Sequence, residues 1–313
     1  MSLKEDVLFE LMAAEKYISG QELAEKYGKS RAAVWKAVKA LSKEGYIISA
    51  VTNKGYILKK GDDILSKAEI SLYLERDIDV MCFASIDSTN SYAKRLLAEG
   101  KQGEFLICAN EQTAGRGRQG KSFYSPAHTG VYFSLVTRPQ TSLQNAVTAT
   151  TAAATAVCKA IEKLTDKKPK IKWVNDVYLD GKKICGILTE AVTDFETGTV
   201  DSVIIGIGIN IKTSDFPNDI EGAGCLDAEI NRSRLVAEIV NELLEISAGD
   251  HRRFIDYYRS HSLVIGQKIK FIENGKITPA TAVEIDDRGG LTVRLENGVL
   301  KTLRSGEISI RRQ

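Results

Sequence analysis

Apolar and polar positions along the first sixty residues follow two periods. Leu8, Leu11 and Met12 recur at helical spacing, and Gly20 and Gly28 bracket a second short helix over residues 21–27. Ser30 can cap a third helix reaching about Lys43, with Ala33, Val34, Ala37, Val38 and Leu41 on one face. Trp35 lies off that stripe, placed to meet nucleic acid, the following ribbon or a neighbouring domain. The spacing then becomes that of strands: residues 45–48 and 55–58 flank a turn at Thr52-Asn53-Lys54. Three helices followed by a β-ribbon predict a winged helix-turn-helix.

Ser66-Lys67-Ala68-Glu69 has the spacing of a capping box and opens a longer region. Strands are predicted there at 80–85, 104–109, 131–137 and 203–209, and helices from Asn90 to about Glu99 and from about Asn145 to Leu164. The second of these helices is rich in Ala and Thr, small enough for close packing on a sheet. Asp180-Gly181 is a hairpin signal between residues 177–179 and 183–190. That fold-back brings Lys172, Asn175, Asp176 and Lys183 near one another. Gly206 and Gly208 interrupt the last apolar strand, and a ligand approaching the backbone would explain them. From Gly266 the chain turns to short strands separated at Glu273-Asn274-Gly275, 286–290 and Glu296-Asn297-Gly298, the pattern of a small β-barrel. The expected domains are 1–64, 65–265 and 266–313.

Charge sharpens this picture locally rather than globally. A net charge of +2 over 313 residues does not mark the whole chain as a nucleic-acid binder. Residues 29–43, however, carry Lys29, Arg31, Lys36, Lys39 and Lys43 and no acid. On a third helix of this kind, Ser30, Arg31, Trp35, Lys36, Lys39 and Lys43 are candidates for DNA contact, against the simpler alternative of a solvated face. Arg304, Arg311 and Arg312 in the tail read as surface charge. Five scattered cysteines and no apolar leader or membrane-length run fit a reducing cytoplasm and no membrane. Three histidines without paired spacing speak against a zinc site.

The densest chemistry lies in Gly115-Arg116-Gly117-Arg118-Gln119-Gly120-Lys121-Ser122. Glycines free backbone amides for a close approach, and guanidinium forks suit carboxylate and phosphate. The stretch also fits G-x-x-x-x-G-K-[ST], but a phosphate loop must open a helix, and Pro126 and Gly130 forbid one here. Gly206-Ile207-Gly208-Ile209-Asn210 is not a dinucleotide fingerprint, since Ile211 takes the third glycine position. Asp87-Ser88-Thr89-Asn90 can cap a helix and also offer hydroxyls to a ligand. Two arginines, Lys172, Asn175, Asp176 and Lys183 together describe a polyanion site with a carboxylate able to hold a divalent metal.

Taken together, these motifs resemble the bifunctional biotin–protein ligases that also repress the biotin operon. The resemblance covers nearly the whole chain. It rests on 87–90, Gln112 with 115–120, Lys172-Trp173-Val174-Asn175-Asp176, 181–188 with Glu190, 206–210, and Ser305-Gly306-Glu307-Ile308-Ser309. It implies an α+β multidomain fold: the winged helix-turn-helix, a mixed α/β ligase domain similar to class II aminoacyl-tRNA synthetases, and an SH3-like C-terminal barrel. It further implies that biotin and ATP form biotinyl-5'-AMP, and that a lysine of a biotin carboxyl carrier protein then takes the biotinyl group. Operator DNA, a homodimer when adenylate is bound, and Mg²⁺ come with the resemblance.

By the same resemblance, Ser88, Thr89, Asn90, Gln112, Gly115, Arg116, Gly117, Arg118, Lys183, Gly186 and Gly206 are expected to meet biotin. Arg116, Arg118, Lys121, Phe123, Lys172, Asn175, Asp176 and Asn210 are expected to meet ATP, Asp176 to hold the metal, and Lys183 and Arg118 to be catalytic. The chain departs from the family pattern at Val174, where proline is usual, and at Lys121 and Phe123, where arginine and tryptophan are frequent. These departures bear on nucleotide affinity: lysine lacks the bidentate fork, and phenylalanine offers adenine a smaller face. The alternatives are a repressor that senses its ligand without ligating it, and a lipoate-type ligase. Intact Arg118 and Lys183 speak against the first, and the 115–120 loop and winged domain against the second.

Overall fold

A computed structural model describes residues 2–59, 64–138, 146–193, 199–249, 251–273 and 275–310. Asn145, Asn274, Arg311 and Arg312 lie outside the described residues. The first unit comprises α1 (Leu3–Ala13), α2 (Gly20–Lys26), α3 (Arg31–Lys43), β1 (Ile48–Val51) and β2 (Gly55–Leu58). Each helix starts at a serine cap: the hydroxyls of Ser2, Ser19 and Ser30 accept the backbone N–H of Glu5, Glu22 and Ala33. Because Ser19 is the cap, α2 includes Gly20 instead of beginning after it. The ribbon β1–β2 is antiparallel, and Ile18 bridges Tyr56 beside it. Gly55 is required there: its φ is +104°, and a Cβ would stand 2.0 Å from the Ile18 carbonyl oxygen. Val7, Leu8, Leu11, Leu23, Val34, Val38 and Leu41 form the core.

The central unit comprises α4 (Lys67–Tyr73), β3 (Asp79–Phe83), α5 (Thr89–Ala98), β4 (Phe105–Ala109), β5 (Gly130–Thr137), α6 (Ala146–Leu164), β6 (Lys170–Lys172), β7 (Asp176–Leu179), β8 (Lys182–Thr193), β9 (Val200–Asn210), α7 (Arg232–Ala248) and α8 (His251–Ser260). Its strands form one mixed sheet in the order β3-β4-β5-β9-β8-β7-β6, with only β3–β4 parallel among the described ladders. The long helix α6 lies on this sheet and against α7 and α8. Ala149, Ala152, Ala153, Ala156 and Ala160 are fully buried, so the small side chains do set a close approach. Asp180 and Gly181 both have positive φ, the conformation that a two-residue turn between β7 and β8 needs.

Ser66 caps α4 as its spacing suggests, but Glu69 turns its carboxylate inward. There it accepts from Asn231 Nδ2 at 2.6 Å, at the start of α7, and Tyr46 Oη from the first unit lies 2.6 Å from Ser66 Oγ. The winged unit is thereby seated on the central one through buried polar contacts.

The tail comprises β10 (Lys268–Glu273), β11 (Lys276–Ile285), β12 (Leu291–Leu295), β13 (Leu300–Leu303) and β14 (Glu307–Ile310). They form a five-stranded antiparallel sheet, β13-β12-β11-β10-β14. Trp173 Nε1 donates to the Gly289 carbonyl at 2.9 Å and ties this unit to the central one. Among the described residues no helix is long and apolar enough to cross a membrane.

Candidate active site

One cleft, between the Gly115–Ser122 loop, the central sheet and β14, gathers most of the residues read from the sequence. Ser88, Thr89, Asn90 and Gln112 line one end. Arg116, Gly117, Arg118, Lys121 and Phe123 line the loop side. Lys172, Asn175, Asp176, Lys183, Gly186 and Gly206 line the sheet side. Gly306, Glu307 and Ile308 bring the tail unit into the wall.

Two expected residues are not in the lining. Gly115 lies behind it, because a Cβ there would meet the Phe123 carbonyl oxygen at 2.3 Å and Ser125 Oγ at 2.8 Å. Its glycine serves internal packing of the loop. Asn210 is buried at the end of β9, and its Nδ2 donates to the Gly224 carbonyl at 3.1 Å. It anchors the 222–226 segment, whose Gly222 carbonyl accepts the Lys183 amide at 2.9 Å.

The glycine-rich loop does not open a helix, as a nucleotide-hydrolase phosphate loop would. Its backbone closes on itself: Gly117 N–H donates to the Lys121 carbonyl at 2.7 Å, and Phe123 N–H to the Gly115 carbonyl at 2.9 Å. A single 3₁₀ turn spans Arg118–Gly120, and no helix follows Ser122 before β5.

The glycines of β8 and β9 also have a reason other than the close approach of a ligand. A Cβ at Gly206 would stand 2.1 Å from Asn90 Oδ1. One at Gly208 would stand 2.4 Å from the Phe123 ring, and one at Gly186 would stand 3.0 Å from it. The chain's own Asn90 and Phe123 fill this space. Phe123 thus lies on the cleft floor across Gly186 and Gly208, with its ring 6.4 Å from that of Tyr132.

The end of the cleft near α5 is neutral and closely hydrogen-bonded. Ser88 caps α5, accepting the Ser91 amide. The Thr89 amide donates to Gln112 Oε1 at 2.9 Å, and Gln112 Nε2 donates to Ser125 Oγ at 2.9 Å. Asn90 Nδ2 donates to Glu190 Oε2 at 2.9 Å and to the Leu188 carbonyl at 3.2 Å. Behind them, fully buried Ser134 on β5 places its Oγ 2.7 Å from Thr89 Oγ1 and 2.6 Å from Asn90 Oδ1.

The opposite rim is cationic, and each cation already has a partner. Arg116 lies 3.3 Å from Glu190, which Lys94 also binds at 2.7 Å. Arg118 Nη1 donates to Asn175 Oδ1 at 3.0 Å. Lys183 pairs with Asp176 at 2.7 Å, and Lys121 pairs with Glu307 of β14. Lys172 rests over the Tyr178 ring at 5.7 Å. Burial raises the Glu190 carboxyl, but the bonds from Lys94 and Asn90 and the charges of Lys94 and Arg116 outweigh it and hold it below its ordinary value. The bond from Lys121 does the same for Glu307. Burial pushes the Lys172 ammonium down despite the charge of Asp176.

Sequence reasoning gave no role to Glu190 or Glu307, although both fall in the quoted motifs, and it passed over Ser134 inside an apolar run. Their partners are 44 or more residues away in sequence, so only the folded chain discloses them. On α3, Ser30, Arg31, Trp35, Lys36, Lys39 and Lys43 are all exposed on one unit, remote from the cleft lining. Lys39 Nζ lies 4.8 Å over the Trp35 ring, and the tryptophan is exposed.

Comparison with known proteins gives three matches along the chain. Residues 4–57 match the HTH domain, residues 82–210 the Biotin/lipoate A/B protein ligase family, and residues 264–311 the Biotin protein ligase C terminal domain. The chain is 34% identical over 308 residues to the bifunctional ligase/repressor BirA of Bacillus subtilis strain 168, covering 92% of this chain and 93% of that protein. It is 30% identical over 313 residues to the protein of the same name from Escherichia coli K12, covering 97% and 96%. Among solved structures it resembles a biotin protein ligase from Aquifex aeolicus in complex with biotin and ATP. That likeness has a TM-score of 0.63 at 27% identity, over 75% of this chain and 99% of that one.

Proposed function

The chain belongs to the bifunctional ligase/repressor family, and on that premise we propose how its cleft divides the work. It is an ATP-dependent biotin–protein ligase whose winged helix-turn-helix makes it a repressor as well. Biotin's fused ring, neutral and bearing N–H donors, belongs at the Ser88, Thr89, Asn90 and Gln112 end. Its carboxylate then points toward Lys183, and ATP lies along the cationic rim.

In the first step a carboxylate oxygen of biotin attacks the α-phosphorus of ATP, and pyrophosphate leaves. Two anions must meet, so the reaction needs fixed positive charge more than proton transfer. Lys183 sits at the junction of the two ends and exchanges Asp176 for the carboxylate and phosphoryl oxygens. Arg116 and Arg118 fold over the adenylate, and Arg118 retains it. In the second step a carrier lysine amine attacks the anhydride carbonyl; an amide forms, AMP leaves and the amine loses a proton. His128 and His261 lie outside the cleft, in keeping with a reaction driven by electrostatics.

The family's Mg²⁺ fits the donor set: Asp176 and Glu307 are the carboxylates of the lining, and Mg²⁺ uses one or two protein carboxylates beside phosphate oxygens and water. Those residues would hold it, and the bound ion would neutralise phosphate charge.

The observation that carries the reading is the meeting, in one cleft, of a hydrogen-bonded neutral end with Arg116, Arg118, Lys121, Lys172 and Lys183. Biotin-dependent exchange of pyrophosphate into ATP tests it. Exchange that needs biotin supports adenylation, and exchange without it, or none, overturns the assignment. The exposed α3 residues are placed to contact operator DNA, and adenylate-driven homodimerisation would set two winged units on an inverted repeat. A gel-shift series with and without biotin and ATP checks this, and equal binding in both contradicts it. We place the domain boundaries near 64 and 265, and the free cysteines suit a reducing cytoplasm.

A further inference from the structure

One buried cation lies behind the cleft, outside its lining. Arg232 is the first residue of α7, next to the cap Asn231, and is only 2% exposed. Two features of that place weigh against a cation. A helix N-terminus carries partial positive charge of its own. A buried ionic group can often be replaced by apolar residues of similar volume without loss of stability. The guanidinium is therefore better explained by what it holds. Its Nη1 donates to Asn110 Oδ1 at 3.0 Å and to the Gly130 carbonyl at 3.2 Å. Those two residues are the roots of segment 111–129, which carries Gln112, Arg116, Arg118, Lys121 and Phe123.

The antiparallel ladder of β4 and β5 ends at Ala109 and Tyr132, and pairing resumes only at the bridge between Gln112 and Ser125. Arg232 spans the two chains in the gap between them. Nearby bonds set the same roots: the Asn110 amide donates to the Phe83 carbonyl at 3.0 Å, and Tyr132 Oη to the Pro126 carbonyl at 3.0 Å. The Thr129 carbonyl accepts the amides of Ile211 and Lys212 at 2.9 and 2.8 Å. We propose that Arg232 is a positioning residue for adenylation: by closing the mouth of this long hairpin, it sets how the glycine-rich loop lies over the cleft and so where Arg116 and Arg118 stand. It acts through the loop and touches no ligand. This rests on the reading that the cleft holds biotinyl-adenylate beneath that loop, and it adds the anchor on which the loop's grip depends.

The test follows release of labelled, presynthesised biotinyl-5'-AMP from the full chain, chased with excess unlabelled compound. Arg232→Gln is expected to release it about tenfold faster than the wild type, because the loop's arginines lose their fixed place. Unchanged release would overturn the proposal. Asn231→Ala is the control. It removes the cap of the same helix start, whose Oδ1 accepts the Arg234 amide at 2.7 Å, and the contact with Glu69. It is expected to lower the melting temperature yet leave release within about twofold. Equal acceleration by Asn231→Ala would show that any loosening of α7 suffices, and would overturn the proposal. If the wild type itself binds no adenylate, the ligase reading fails first, and the two failures are distinguished.

A mutant cycle supplies the second arm. With Arg116→Ala and Arg118→Ala already in place, Arg232→Gln is expected to change release by less than about twofold, since the side chains it positions are gone. With Lys183→Ala in place, on the sheet side, the effect of about tenfold is expected to remain. An undiminished effect in the first background, or a lost one in the second, contradicts the proposal. Asn110→Ala keeps the guanidinium and removes one of its acceptors, and is expected to speed release about threefold. Should Arg232→Gln not fold, wild-type release from Asn110→Ala overturns the proposal.

Discussion

The neutral end of the cleft and its cationic rim hold their side chains in different ways. At the neutral end Ser88, Thr89 and Asn90 are buried, and protein atoms fix their hydrogen bonds from behind. Along the rim the cations are wholly or partly exposed; Arg116, Lys183, Lys121 and Arg118 rest on Glu190, Asp176, Glu307 and Asn175, and Lys172 lies over the Tyr178 ring. An exposed ion pair such as Lys121–Glu307 contributes only about 0–1 kcal/mol, so an incoming phosphate can displace it at little cost, whereas the more buried Asp176 and Glu190 yield their cations only to an anion that replaces their charge. Buried polar groups left without partners cost more, about 1–3 kcal/mol each. The ring is met by a surface built in advance, whereas charge is met by partners that can be exchanged.

That contrast predicts a graded series of effects. The largest belongs to Lys183→Ala at the junction of the two ends, which is expected to lower the adenylation rate by roughly 10²–10³-fold. Single-turnover pyrophosphate release measures it, and a loss under tenfold would move the reacting centre elsewhere. Next comes Gly206→Ala. Its methyl would stand 2.1 Å from Asn90 Oδ1 and must evict that side chain. Biotin affinity is expected to fall roughly 10–100-fold while the fold survives, as checked by calorimetric titration and a melting curve.

Glu190→Gln is expected to cost about three- to tenfold in biotin KM, since it keeps an acceptor for Asn90 but loses the charge on Arg116 and Lys94. It also carries a pH signature. A depressed carboxyl pKa contributes stability that is present above the ordinary value of 4.5 and is lost as pH falls through the folded value. Melting temperatures recorded downward from pH 6 should therefore fall more steeply for the wild type than for Glu190→Gln; parallel curves would show that Glu190 is not held ionised.

The smallest effects belong to exposed residues. Lys121→Ala is expected to change stability by less than about 1 kcal/mol, because its pair with Glu307 is solvent-exposed, and to raise the ATP KM only a few-fold. Lys36→Ala on α3 is expected to reduce the salt slope of DNA binding by about one and to leave ligation unchanged. A loss of adenylation in Lys36→Ala would mean that the two functions share residues.

Much of this was legible in the chain because it is local. The caps at Ser30, Ser66 and Ser88, the Asp180-Gly181 turn and the basic face of α3 are each set within a few residues. The order of the motifs placed nearly all of the cleft lining. What escaped is non-local. Gly206 and Gly208 read as room for a ligand, yet Asn90 and Phe123 occupy it, from segments far away in sequence. Glu69 read as half of a capping box, but tertiary contact with Asn231 draws its carboxylate inward. Ser134 was hidden in an apolar strand, since a single hydroxyl gives no periodic signal and its partners come from α5. Asn210 sits beside two glycines of a binding motif, and only the course of the 222–226 segment shows that it serves the scaffold.

The central claim is that one cleft joins biotin to ATP and passes it to a lysine. Intact mass measurement of a biotin carboxyl carrier domain, incubated with this protein, biotin, ATP and Mg²⁺, tests it most directly. The account predicts the addition of one biotinyl group, abolished by Lys183→Ala. An unchanged carrier mass with biotin bound to the protein, or full modification by Lys183→Ala, would contradict it.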